Sequence, residues 1–159
     1  AFTKSKNLEL LENLRKWFNF KFEVIYFYNV YGQGQIKEGD MATVVGIFED
    51  LYKKNKPLTI VKPGTQTRRF THIDDTIKTC IEAWKKNKCL YYSISHKKSY
   101  SIKDLAKMFK TKIIYLKPRS GERYASALTK ISNNRTIINK YGKIDLKDYV
   151  TSFIKGEKL

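Results

Sequence analysis

Short β-branched and aromatic runs alternate with amphipathic helical stripes along this chain, and that alternation limits its fold more than any other feature. Phe22–Tyr28, Pro57–Val61, Arg68–Ile73, Cys89–Ser95 and Lys112–Leu116 read as strands. Leu8, Leu11, Leu14 and Phe18 recur at helical spacing, and Met41–Lys54 repeats the pattern. Asp74 or Asp75 is expected to cap a helix that runs to about Lys86. Ser99 or Ser101 should cap another that carries Leu105, Met108 and Phe109, and two short helices are predicted around Ser132–Tyr141 and Leu146–Ile154. With no repeat and no low-complexity linker, the order predicts an α/β fold. The strands are too few and too scattered to complete a doubly wound sheet by themselves.

A length of 159 residues suits one ordinary domain, and 42% hydrophobic with 14% aromatic residues excludes a disordered chain. No apolar run reaches the roughly 20 residues of a membrane span and no signal-peptide pattern opens the chain. A cytoplasmic protein with no membrane partner is expected. The net charge of +17 points to an anionic ligand, but the 26 Lys and 6 Arg are dispersed, with no basic tail. Arg, the residue suited to base readout, is scarce, so a solvated surface is expected rather than a nucleic-acid partner. Cys80 and Cys89 lack CxxC spacing and read as reduced, buried thiols. His72 and His96 are far apart and lack a ligand array, so no metal site is expected.

Gly32-Gln33-Gly34-Gln35-Ile36-Lys37 begins like a dinucleotide fingerprint, but Lys37 stands at the third glycine position and no helix opens from the glycines. It reads as a turn after a strand. No Walker motif, GxSxG or pair of catalytic carboxylates is present. Local rules alone therefore give a basic α/β chain with an anionic ligand.

Four segments taken together go further. Ala1-Phe2-Thr3-Lys4, Tyr28-Asn29-Val30-Tyr31-Gly32, Arg68-Arg69-Phe70-Thr71-His72-Ile73-Asp74-Asp75 and Arg119-Ser120-Gly121-Glu122 follow one another in order. In these the chain resembles the C-terminal half of an extended short-chain dehydrogenase/reductase of the NAD-dependent nucleotide-sugar epimerase/dehydratase family, near its UDP-glucose 4-epimerase-like members. The resemblance implies the end of a Rossmann-type parallel sheet plus a smaller mixed α/β substrate-binding domain. Residues 1–35 would be the last part of the NAD-binding domain. Residues 36–159 would be mainly substrate-binding, with segments returning to the sheet.

The same resemblance implies roles for individual residues. Lys4 would be the lysine of the family's Tyr-x-x-x-Lys, acting on the tyrosine and on the cofactor ribose. Its tyrosine would sit immediately before Ala1, so the chain is expected to be a fragment without that tyrosine or the NAD phosphate loop. A rival register, with Lys6 as the lysine and Phe2 in the tyrosine's place, leaves no acid–base group. Phe27 and Tyr28 would lie beside NAD, with NADP the alternative cofactor. Asn29, Thr43, Thr59, Val61, Arg68, Arg119 and Glu122 would face a nucleotide-diphosphate sugar, with Arg68 and Arg119 clamping the diphosphate.

His72 is expected to have a structural role. Gln33 and Gly34 depart from the Pro and Arg many relatives carry, and Arg69 replaces a common Asp. The helix at 5–19 would pair two copies into a homodimer. A 4,6-dehydratase, a reductase, a non-catalytic sugar-nucleotide binder and a basic nucleic-acid-binding module are the rival readings. On this reading the isolated 159 residues show no epimerase turnover and no micromolar NAD affinity. Turnover assays and NAD titration check it, and robust turnover or tight NAD binding would refute it.

Overall fold

All five residues of Tyr91–Ser95 are buried, as expected for a central strand covered on both faces. The computed structural model describes residues 2–118 and 137–157. In chain order these form α1 (Phe2–Phe18), β1 (Val24–Phe27), β2 (Val30–Tyr31), α2 (Val44–Lys53), β3 (Leu58–Val61), β4 (Thr67–Arg68) and β5 (Thr71–His72). There follow α3 (Ile73–Lys86), β6 (Tyr91–Ser95), β7 (Tyr100–Ser101), α4 (Ile102–Met108), β8 (Ile113–Leu116), β9 (Ile137–Tyr141) and α5 (Leu146–Lys155). The β6 strand lies between β1 and β9, parallel to both, with Val24 opposite Tyr91 and Tyr91 opposite Ile137. Three two-stranded ladders complete the pairing: parallel β2–β5 and β3–β8, and antiparallel β4–β7. The α/β expectation holds.

The apolar core sits beside this sheet rather than on it. Val45 and Phe48 of α2, Leu58 and Ile60 of β3, Leu105 and Phe109 at α4, and Leu146 and Val150 of α5 close on one another, each at most 1% exposed. In β3 the alternation is clean: Leu58 and Ile60 enter the core while Thr59 and Val61 share the other face.

Several local expectations are corrected. Residues 137–141, expected to be helical, form β9; Ile137, Ile138 and Tyr141 suit either state, and the open parallel edge of β6 decides it. Residues 132–136 lie outside the described residues. The first cap of α3 is His72, whose Nδ1 accepts from the Asp74 N–H, while Asp74 and Asp75 sit in the first turn. Ser101 caps α4 in a full capping box with Asp104. The α1 stripe is only half-covered: Leu8, Leu11 and Leu14 are half-buried, Phe18 is exposed, and no residue of α1 is fully buried. Both cysteines are half-buried free thiols rather than core residues.

The strand expected from Cys89 starts at Tyr91, because the preceding N–H groups are diverted. Glu23, just before β1, accepts from the backbone N–H groups of Lys88 (2.6 Å), Cys89 (2.9 Å) and Leu90 (2.6 Å). Cys89 takes a left-handed φ of 55° in that turn. One carboxylate thereby sets the entry of β6 beside β1. Charge-assisted hydrogen bonds contribute about 1.5–3 kcal/mol each and do not add fully. Glu23→Ala is expected to lower unfolding free energy by about 2–4 kcal/mol in urea denaturation; a loss below about 0.5 kcal/mol would show that water replaces the carboxylate.

Candidate functional site

The C-terminal end of β1 is where a parallel sheet offers its ligand edge, and a left-handed residue ends the strand there. Asn29 has φ 40°, a region where Asn is among the few side chains at ease. Its Nδ2 donates to the Arg69 carbonyl at 2.9 Å and its own carbonyl accepts from the Thr71 N–H. Thr71 Oγ1 donates back to the Tyr28 carbonyl at 2.9 Å. Tyr28, Asn29 and the Arg68–Thr71 segment are thus clasped together although about forty residues separate them. Arg69, the departure from the family pattern, enters the clasp through its backbone.

Arg68 lies on β4, half-buried, with Nη1 donating to the Thr67 carbonyl at 2.9 Å and Tyr100 opposite it on β7. The Tyr100 hydroxyl donates to Asp145 Oδ1 at 2.6 Å, and Lys98 Nζ donates to Oδ2 at 2.6 Å. Burial alone would raise the Asp145 carboxyl. The donors Lys98, Tyr100 and the Lys147 N–H outweigh it and hold the group down to about 2. Burial and the bond to Asp145 push the Tyr100 phenol well up.

The remaining candidates are spread out. Phe27 stands 55% exposed at the end of β1, a large aromatic face turned to solvent. Thr59 and Val61 share the outer face of β3, beside Ile114 and Leu116 of β8. Lys4 is exposed near the start of α1 and, among the described residues, shows no hydrogen bond or ion pair to the other candidates. Arg119 and Glu122 lie outside the described residues. Thr43 caps α2, its Oγ1 accepting from the Gly46 N–H and donating to Gln35 Oε1 at 2.7 Å.

Thr43 leads to a cluster that sequence reasoning missed. Glu49 is 2% exposed; its Oε1 accepts from Gln35 Nε2 at 3.0 Å and from the Tyr149 hydroxyl at 2.6 Å, and Lys37 lies 3.4 Å from Oε2. The signal was present, because Glu49 follows Val45 by four residues on the apolar face of α2. Glu49, Lys37, Tyr149, His72, Gln33 and Asp74 border a cleft of about 550 Å³. A more open cleft of about 490 Å³ lies at the other end of the sheet, before β6, near Arg15 and Lys88. Among the described residues, none of the sequence-predicted site residues borders either cleft.

The Gly32–Lys37 loop meets no helix until Val44, so it does not form a pyrophosphate cradle. The groups that suit a nicotinamide nucleotide are the exposed Phe27 ring and the half-buried Tyr28 beside it. Among the described residues, no group of three or more His, Cys, Asp or Glu could hold a metal ion, and no helix is long and apolar enough to cross a membrane.

Residues 1–93, more than half of the chain, match the model of the NAD dependent epimerase/dehydratase family. The chain belongs to that family. Its fold is similar to the UDP-glucose 4-epimerase of Thermotoga maritima with UDP-glucose, at 21% identity and TM-score 0.80, over 97% of this chain and 51% of that one. It is similar to a mutant UDP-glucuronic acid 4-epimerase of Bacillus cereus in complex with UDP-4-deoxy-4-fluoro-glucuronic acid and NAD. There the identity is 27% and the TM-score 0.72, over 98% of this chain and 52% of the other. The UDP-N-acetylglucosamine 4-epimerase of Methanobrevibacter ruminantium M1, in complex with UDP-N-acetylmuramic acid, gives 18% identity and TM-score 0.73, over 92% and 48%. No curated protein matches the chain. The chain spans about half the length of these solved structures and matches the C-terminal part of this Rossmann-type family.

In this family member His72 has the structural role expected of it. Its ring is buried between Tyr31 and Tyr149, with centroids 5.3 and 5.5 Å away. Burial lowers its pKa, against a weaker pull upward from Asp74 and Asp75, so the neutral ring that caps α3 is favoured. The folded state then binds fewer protons than the unfolded chain. His72's contribution is complete above the ordinary value of 6.5 and drains away as pH falls from there through the lower folded pKa. His72→Asn, which keeps a good cap, is expected to flatten the fall in unfolding free energy between about pH 7 and 5. An unchanged slope in denaturant titrations would place its origin elsewhere.

Proposed function

We propose that this chain supplies the substrate-facing part of an NAD-dependent nucleotide-sugar epimerase, acting at C4 of a UDP-sugar. The observation that carries the reading is the clasp at the end of β1, which joins Tyr28 and Asn29 to the segment holding Arg68. It stands at the ligand edge of a parallel sheet in a chain of the epimerase/dehydratase family. A dehydratase of the same class of substrate is the second reading, since the family contains both activities.

Residues 1–35 are read as the end of the NAD-binding part and residues 36–159 as mainly substrate-binding. NAD, when bound, supplies the hydride acceptor and donor. Phe27 and Tyr28 offer the wall against which its nicotinamide is held. Lys4 places a positive charge that favours the ionised form of the family's acid–base tyrosine. Arg68, a planar fork that stays charged at any working pH, grips the diphosphate. Arg119 is assigned to the same grip, and Glu122 to sugar hydroxyls or to orienting Arg119. Asn29, whose second amide N–H and Oδ1 remain after its bond to Arg69, serves the sugar-phosphate. Thr59 and Val61 form a wall for the nucleoside. The exposed Leu10, Trp17 and Phe18 of α1 fit pairing with a second copy.

One charge-assisted contact to phosphate contributes roughly 1.5–3 kcal/mol, so Arg68→Ala is expected to weaken UDP-glucose binding about 10- to 100-fold. Isothermal titration on the protein that contains this chain tests it, with the exposed Lys97→Ala as control. Equal affinities for wild type, Arg68→Ala and Lys97→Ala would refute the role of Arg68.

A further inference from the structure

The Gln35–Glu49 cluster connects three parts of the chain through polar side chains. Gln35 sits in the loop between β2 and α2, Glu49 lies inside α2, and Tyr149 comes from α5, a hundred residues further on. Gln35 uses both ends of its amide: Nε2 donates to Glu49 and Oε1 accepts from Thr43. Because Glu49 is an acceptor only, the amide cannot turn over without placing oxygen against oxygen and losing the Thr43 donor. The carboxylate therefore fixes which way Gln35 faces, and Gln35 fixes the Thr43 hydroxyl.

Packing enforces the same arrangement. The Thr43 N–H donates to the Ile36 carbonyl at 3.0 Å, which lays the loop directly on the first turn of α2. A Cβ at Gly46 would come within 2.5 Å of that carbonyl oxygen and 3.2 Å of Gln35 Cγ, so the approach requires glycine. The loop follows β2, which begins directly after Asn29 of the clasp, and ends at Thr43, so residues assigned to the substrate stand on both sides of it. A buried carboxylate is costly unless its acceptors are filled, and here Gln35, Tyr149 and Lys37 fill them.

We propose that Glu49 is a positioning residue for nucleotide-sugar binding: through Gln35 it holds Thr43 and the 31–37 loop at the rim of the substrate site. The proposal rests on the functional reading above, and it adds a residue that touches no ligand itself.

The test uses UDP-glucose and UDP-glucuronic acid as probes, titrated into the protein that contains this chain, with thermal unfolding followed in parallel. Gln35→Ala removes the link at a half-buried loop position; affinity is expected to fall about 3- to 10-fold, the scale of one neutral hydrogen bond, with little change in Tm. Glu49→Gln keeps an acceptor for Gln35 and Tyr149 and should bind within twofold of wild type. Glu49→Ala should lose at least as much affinity as Gln35→Ala, with a lower Tm. Hydrogen exchange at the Gly46 amide, which bonds Thr43 Oγ1, should quicken in Gln35→Ala and not in Glu49→Gln.

If Gln35→Ala and Glu49→Ala bind like wild type while Arg68→Ala binds weakly, the positioning role is refuted and the functional reading stands. If the variants change Tm alone, the cluster is structural and the proposal is refuted. If the wild type binds neither probe, the functional reading falls and the proposal with it.

Discussion

Parallel pairing on both sides of a short central strand is the constraint from which the rest of this structure follows. The β6 strand can bond β1 and β9 in the same direction only if the chain returns to the starting edge each time by a crossover. From β1 to β6 that return includes α2, β3 and α3; from β6 to β9 it includes α4 and β8. The apolar residues of the crossover elements α2, β3 and α4 close with those of α5 into a core of their own, and the β3–β8 ladder packs against it. A three-stranded sheet and a separate helical core are therefore consequences of one topology. The C-terminal end of β1 lies beside β5, held by the bonds of Tyr28 and Asn29 to Thr71.

Fixing these returns falls to a small number of carboxylates. Glu23 binds the entry to β6, and Asp75 accepts from the N–H groups of Lys143 and Ile144 after β9. Asp145 joins β7 to the start of α5, and Glu49 joins α5 to α2 and its loop. All four connect segments more than 40 residues apart, as well as any more local bonds they make. A carboxylate suits the task because it accepts several donors at once, while dispersed lysines can reach water individually.

The elements with local causes were legible in the sequence: the apolar stripe of α2, the capping box of α4 and the alternation of β3. So was the extended character of the Arg68–Ile73 segment, which forms β4 and β5. What could not be read locally depended on distant partners. Ile137–Tyr141 becomes a strand because β6 offers an open parallel edge. His72 caps α3 because two tyrosines bury its ring and keep it neutral. The i+4 spacing from Val45 puts Glu49 on the apolar face of α2, but its partners Gln35 and Tyr149 come from 14 and 100 residues away and are not visible locally.

The charge of the chain has a physical reading in the same terms. Among its 15 acidic residues, Glu49 and Asp145 are buried and Glu23 and Asp75 are half-buried, with their oxygens engaged by internal donors. Among the described residues most lysines are exposed, and those that pair with a carboxylate include Lys6, Lys37, Lys54, Lys98 and Lys140. Using acids as internal fasteners leaves an excess of positive surface. Such a field attracts a doubly charged diphosphate over a distance of about one Debye length, roughly 8–10 Å at physiological salt. It raises the encounter rate without selecting the ligand. Under the proposed function, selection rests on short-range geometry at Arg68 and Asn29, so a diffuse charge of +17 and a specific site can occupy the same chain without one implying the other.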